Sequence, residues 1–174
     1  MMKRTLMLIM FIVGLLAMSV TCYAKITVED LNIGGIYYGQ SETDVVKNFG
    51  QPVRKESIPP HGNADVFKRN SSEITVGFAW KNQSERYVYR VNVKSGNELL
   101  TASGIGIGST YNDVINTYGQ GDVDTVLTHS NLQQYFVIYK IPNVKPGMGT
   151  SLNFTISPDK KVIGILFTEY EYEG

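Results

Sequence analysis

The side chains of this 174-residue chain that could do chemistry are few: Cys22, His61, His129, and the carboxylates Asp122 and Asp124 of the stretch GDVD. A nucleophilic mechanism needs a base beside the nucleophile, and a metal site needs several ligands at helical or turn spacing. His61 stands in PPHG and His129 in THSN, and neither has a second histidine at such a spacing. Asp122 and Asp124 can be read as a general acid and base or as a calcium-loop fragment. Two carboxylates on one face of a strand are more simply solvated. The expectation is a chain with no catalytic residue, no metal and no cofactor, with a hydrolase built on Asp122, Asp124 or His129 as the remote alternative.

Side chains suited to recognition are better represented. In the run ITVGFAW at 74–80, alternation turns Ile74, Val76, Phe78 and Trp80 inward and leaves Thr75, Gly77 and Ala79 outward. In RYVYRVNVK at 86–94 the same logic buries Tyr87, Tyr89, Val91 and Val93 and exposes Arg90, Asn92 and Lys94. Thr75, Arg90, Asn92 and Lys94 therefore form a candidate polar trough on one sheet face. An ordinary wet sheet face is the competing explanation of the same pattern. His61 and Lys145 join the candidates because they sit in two stretches rich in Pro and Gly, 57–65 and 142–150, expected to be loops that carry specificity.

The elements that must position these residues are marked by a duplication. Residues 39–51 read GQSETDVVKNFGQ and residues 108–120 read GSTYNDVINTYGQ. Ser41 and Thr110 are placed as N-caps, Asp44 and Asp113 stand three residues later as capping-box partners, and Gly50 and Gly119 close each segment. The helices so framed are about eight residues, too short to persist alone. Their apolar stripes, Val45, Val46 and Phe49 in one and Val114, Ile115 and Tyr118 in the other, must lie on sheets.

Downstream of each helix the pattern turns to strands: 74–80, 86–94 and ELLTASGI near 98–105 in the first half; 133–141, 151–157 and 162–170 in the second. The turn-sized gaps favour antiparallel meanders over crossovers. The acidic tail EYEYEG reads as a frayed, charged strand end.

The beginning of the chain reads as an export signal. MMKR is followed by an apolar run from Leu6 to Met18, shorter than the roughly 18 residues of a membrane span, with Ala24 and Cys22 at −1 and −3 of a cleavage site. Lipidation at Cys22 is the competing reading, but Ser19 and Thr21 stand where a lipobox has an aliphatic residue and Gly, Ala or Ser. Without Lys3 and Arg4 the chain carries 14 basic against 16 acidic residues, and no basic run exceeds two. That balance gives no electrostatic footing for nucleic acid or an anionic membrane surface.

The pattern G-x-[ST]-x-x-D-V-x-x-x-[FY]-G-[QP], with GGIYYG before the first copy, GIGIG before the second and FTISPDKKVIGILF later, resembles the SmpA/OmlA and beta-lactamase inhibitory protein (BLIP) superfamily. The resemblance implies an α+β fold of two BLIP-like repeats, each a short helical layer packed on an antiparallel β-sheet. Residues 1–24 are the expected signal peptide, 25–103 the first repeat and 104–174 the second. It also implies an exported, periplasmic or secreted, non-enzymatic module that binds an extracytoplasmic protein as inhibitor or adaptor, in a groove between two sheets. A structural or assembly component of the cell envelope is the alternative.

Overall fold

The computed structural model describes residues 26–58, 62–129 and 132–172. The expected signal peptide, Cys22 and His61 lie outside them. After a single 3-10 turn at Val28–Asp30, a two-stranded hairpin forms from β1 (Asn32–Ile33) and β2 (Ile36–Tyr37). Helix α1 (Glu42–Phe49) follows, then β3 (Arg54–Ser57), β4 (Asn63–Arg69), β5 (Ser72–Trp80) and β6 (Arg86–Lys94). Helix α2 (Tyr111–Tyr118) then leads into β7 (Val123–His129), β8 (Leu132–Lys145), β9 (Met148–Ile156) and β10 (Val162–Glu171).

Both helices begin and end where their caps say. Ser41 Oγ accepts the Asp44 N–H at 3.1 Å and Thr110 Oγ1 accepts the Asp113 N–H at 3.1 Å. The Asp113 carboxylate in turn accepts the Thr110 N–H at 2.8 Å, and this backbone bond, with the hydroxyl of the same residue, holds the carboxyl below its ordinary range. Gly50 and Gly119 take φ of 81° and 79° and donate their N–H groups to Val46 and Ile115, a left-handed stop that favours glycine.

The eight strands β3–β10 form one antiparallel sheet in the order β3-β4-β5-β6-β10-β9-β8-β7. This corrects the expectation of two sheets with a groove between them. Residues Gly164–Thr168 of β10 pair with Arg90–Lys94 of β6, so the two meanders are joined by a hydrogen-bonded seam. One row of facing residues runs Asp65, Val76, Val91, Phe167, Leu152, Tyr139 from β4 to β8. That row belongs to the face carrying both helices: Phe49 meets Phe67, while Tyr118 meets Tyr139 and Phe154, with ring centroids 5.5–6.5 Å apart. Val45, Val114 and Tyr118 share a single buried cluster with the strands of both meanders. The short helices are thus held by packing, as their length requires.

Several strand expectations need correction. In β6 the buried residues are Val88, Val91 and Val93, while Tyr87 and Tyr89 are only half-buried. A bulge is the cause: Gly77 faces Arg90 but Phe78 faces Val88, so Tyr89 is the extra residue and alternation slips by one. Trp80, expected inward, is 66% exposed at the end of β5, stacked against Arg86. Residues 98–105 do not form a sheet strand, because their backbone bonds go to β1 and to a local turn: Leu100 accepts from Gly34, Ala102 donates to Asn32, and Thr101 donates to Ile105.

The stretch 142–150 is no long loop, since β8 runs through Pro142 to Lys145 and β9 starts at Met148. A register break between Ile141 and Lys145, with Asn143 at φ 56°, absorbs the proline. Strands β3 and β7 are the two edges of the sheet. Among the described residues no helix is long and apolar enough to cross a membrane.

Candidate functional site

The face opposite the helices is built by the outward register of all eight strands. Its rows are read from the pairing: Val66, Thr75, Asn92, Leu166, Asn153 and Ile138 lie side by side, and next to them Gly77, Arg90, Thr168, Ser151 and Lys140. Four of the six sequence candidates meet here. Thr75 and Asn92 are direct cross-strand neighbours, Arg90 is in the adjoining row, and Lys94 faces Gly164 on the other side.

At the β3 end, Arg54, Glu56, Glu73, Thr75, Asn92 and Lys94 line an open depression of about 290 Å³. The guanidinium of Arg54 reaches Glu56 and Glu73, each at 2.8 Å, and those hydrogen bonds, Glu73 first, hold its pKa above the ordinary value. Both carboxylates in that depression are therefore already paired. Lys94, Arg90 and Lys140 are in no ion pair among the described residues. Lys140 instead carries its ammonium 5.9 Å from the Tyr170 ring centroid.

Arg90 is held unusually. A Cβ on Gly77 would come within 2.8 Å of the Tyr89 ring and 3.1 Å of Arg90 Cβ, so the glycine makes room for both residues of the bulge. The Nε of Arg90 is buried without a hydrogen-bond partner among the described residues, and burial pulls the guanidinium pKa downward. It remains a cation at any ordinary pH. A buried donor left unpaired is costly, so this side chain is kept in place by packing and not by a hydrogen-bonded network.

Lys145 is placed elsewhere. Its ammonium lies 2.8 Å from Glu169, whose side chain is 7% exposed, and it also donates to the Tyr87 hydroxyl. Glu169 accepts from Tyr38 at 2.7 Å and from Tyr87 at 2.9 Å as well. Of the acidic tail, Glu169 is thus an anchored group with a buried side chain, a correction to the frayed end at that residue, while Glu171 at the end of β10 is exposed and residues 173–174 lie outside the described residues. The position of Glu169 was legible, because Ile165, Phe167 and Glu169 follow one alternating register. Burial, followed by the bond and charge of Glu169, raises the Tyr38 phenol far above its usual value. For Lys145, burial lowers the ammonium, but the bonds to Glu169 and Tyr87 outweigh it and the net shift is upward.

The two carboxylates of GDVD do not form a pair. Asp122 accepts the Lys140 backbone N–H at 2.6 Å, whereas Asp124 Oδ2 accepts from Tyr111 at 3.0 Å and Gln120 at 2.6 Å. Asp122 is exposed, in line with a solvated carboxylate, whereas Asp124 is half-buried and its Oδ1 is buried without a partner among the described residues. His129 faces Leu132 at the end of the β7–β8 ladder. Among the described residues no three His, Cys, Asp or Glu side chains converge as a metal site. Lys140 was missed in the sequence, although the alternation of QQYFVIYKI places it outward with Ile138.

No family model matches the chain, and no curated protein matches it. Among solved structures it is similar to a cysteine-rich secretory protein from Staphylococcus aureus subsp. aureus Mu50, at 15% identity and a TM-score of 0.48 over 75% of this chain and 44% of that one. It is also similar to a DUF4309 family protein from Bacillus subtilis subsp. subtilis strain 168, at 15% identity and a TM-score of 0.45 over 75% and 78% of the two chains. This chain spans less than half the length of the staphylococcal protein.

Proposed function

We propose that this chain is an exported, non-enzymatic protein-binding module, and that its docking surface is the sheet face not covered by the helices. The observation that carries the reading is charge on an open platform. Arg90, Lys94 and Lys140 stand on that face without carboxylate partners among the described residues, beside Thr75, Asn92, Asn153, Ser151 and Thr168, in rows that also hold Val66, Leu166 and Ile138. Unpaired cations flanked by small hydrogen-bonding side chains suit an acidic segment of a protein surface, since complementary charge steers encounter and fixes orientation. The duplicated helix segment supports a reading of the two meanders as tandem BLIP-like repeats, joined edge to edge. Duplication then doubles the width of the platform.

The test uses the purified chain immobilised and exposed to extracytoplasmic proteins of its source, with retained proteins quantified. One acidic-surfaced protein held near one-to-one, and released by Arg90→Glu or Lys140→Glu with the fold intact, is expected. Retention that neither charge reversal changes would sink the assignment of this face. Several proteins held weakly would favour an assembly role in the envelope.

A further inference from the structure

On the opposite face, at the other end of the molecule, α2 stops short of covering the sheet. Val126, Tyr135 and Ile156 are one cross-strand row of β7, β8 and β9 and form the floor of a cavity of about 370 Å³. Tyr111, the first residue of α2, and the Ser157–Lys160 turn form its walls. The rings of Tyr111 and Tyr135 meet edge to face at 5.6 Å, and the Tyr111 hydroxyl is spent on Asp124. What faces the space is therefore mainly aromatic and aliphatic.

The cavity opens onto β7, an edge of the sheet whose outer backbone groups pair with no other strand among the described residues. The two edges differ. Strand β3 is four residues long and reads RKES, a short charged edge that discourages pairing, whereas β7 reads VDTVLTH, with one carboxylate and no lysine or arginine. Val126 on β7 is 51% exposed beside the cavity. Lys160 on its rim is in no ion pair among the described residues.

We infer that the β7 edge and this cavity form one site for an extended peptide of another protein, added as a further strand with a bulky apolar side chain in the cavity and a carboxylate near Lys160. Main-chain bonds to the edge give such a site affinity and the cavity gives it selectivity. A second copy of this chain is a poorer occupant. Pairing β7 with β7 would offer Asp124 and Val126 on the helix side, one charged and the other too small to fill the space. The site is independent of the open face proposed above.

The probe is a fluorescein-labelled peptide, Thr-Thr-Val-Thr-Phe-Thr-Glu-Thr, in which Phe and Glu share one strand face. Saturable binding to the purified chain is expected, weakened about ten-fold or more when Ala replaces the peptide Phe or by Val126→Lys at that exposed position. Lys160→Glu should weaken the Glu peptide more than its Gln version. Amides of residues 123–129 should gain hydrogen-exchange protection on binding. The inference is overturned if no saturation occurs by about 1 mM, or if protection appears at residues 90–94 instead. It is equally overturned if β7 becomes protected with rising protein concentration and no peptide, which would be self-pairing.

Discussion

The buried cluster around Glu169 shows how a few side chains shape a solution property of the molecule. Two phenols and an ammonium surround it, and all three are shifted upward: Tyr38 and Tyr87 chiefly by burial, Lys145 by its bonds to Glu169 and Tyr87 against burial. In the unfolded chain the phenols ionise near 10.0 and the lysine near 10.5. Below those values both states hold the same protons and stability does not vary on their account. As pH rises past them, the unfolded chain sheds protons that the native state keeps, so stability falls. Urea midpoints measured from about pH 8 to about pH 11 should therefore drop on the alkaline side, and the drop should be shallower in the double variant Tyr38→Phe, Tyr87→Phe. Equal slopes for the two proteins would remove this cluster from the alkaline limit.

At the scale of elements, the two eight-residue helices depend on their ends. Losing either N-cap, through Ser41→Ala or Thr110→Ala, should cost about 1 kcal/mol, read as a shift in denaturation midpoint. The Asp113 contribution should be present above its unfolded value of 3.8 and vanish as pH falls below it, since its folded pKa is depressed. A cap variant that unfolds at the wild-type midpoint would show that packing alone holds the helix. These ends were legible because capping is local: Ser41 and Thr110 carry their partners three residues away. What stayed hidden is what non-local pairing decides. The bulge at Tyr89 arises only when β6 meets β5, and it moves Tyr87 and Tyr89 out of the core that strict alternation assigned them. Strand β3 has no apolar alternation to announce it, because it is a charged edge. Of the candidate site, Thr75, Arg90, Asn92 and Lys94 were legible because they lie on central strands, and Thr75 and Asn92 pair with each other and on their outer sides with Val66 and Leu166. Lys145 was read from a loop that the sheet absorbs.

The whole molecule is governed by the seam between β6 and β10. Phe167 of β10 faces Val91 across the seam and Leu152 on its other side, and all three are fully buried in the one core cluster. A chain whose meanders each had a core of its own would unfold in two steps, with damage in one leaving the other untouched. This chain should unfold as one unit, because the side chain at the centre belongs to both. Phe167→Ala is expected to destabilise it by about 3–5 kcal/mol. The single tryptophan, Trp80, lies in the first meander against Arg86, so its fluorescence reports that half alone, while far-ultraviolet circular dichroism reports both. The two probes should give coincident transitions in the wild type, and Phe167→Ala should move both midpoints together. A variant in which the dichroism transition shifts while the Trp80 transition stays would mean that the seam transmits no stability, and the continuous platform on which binding is proposed would then be two plates free to part.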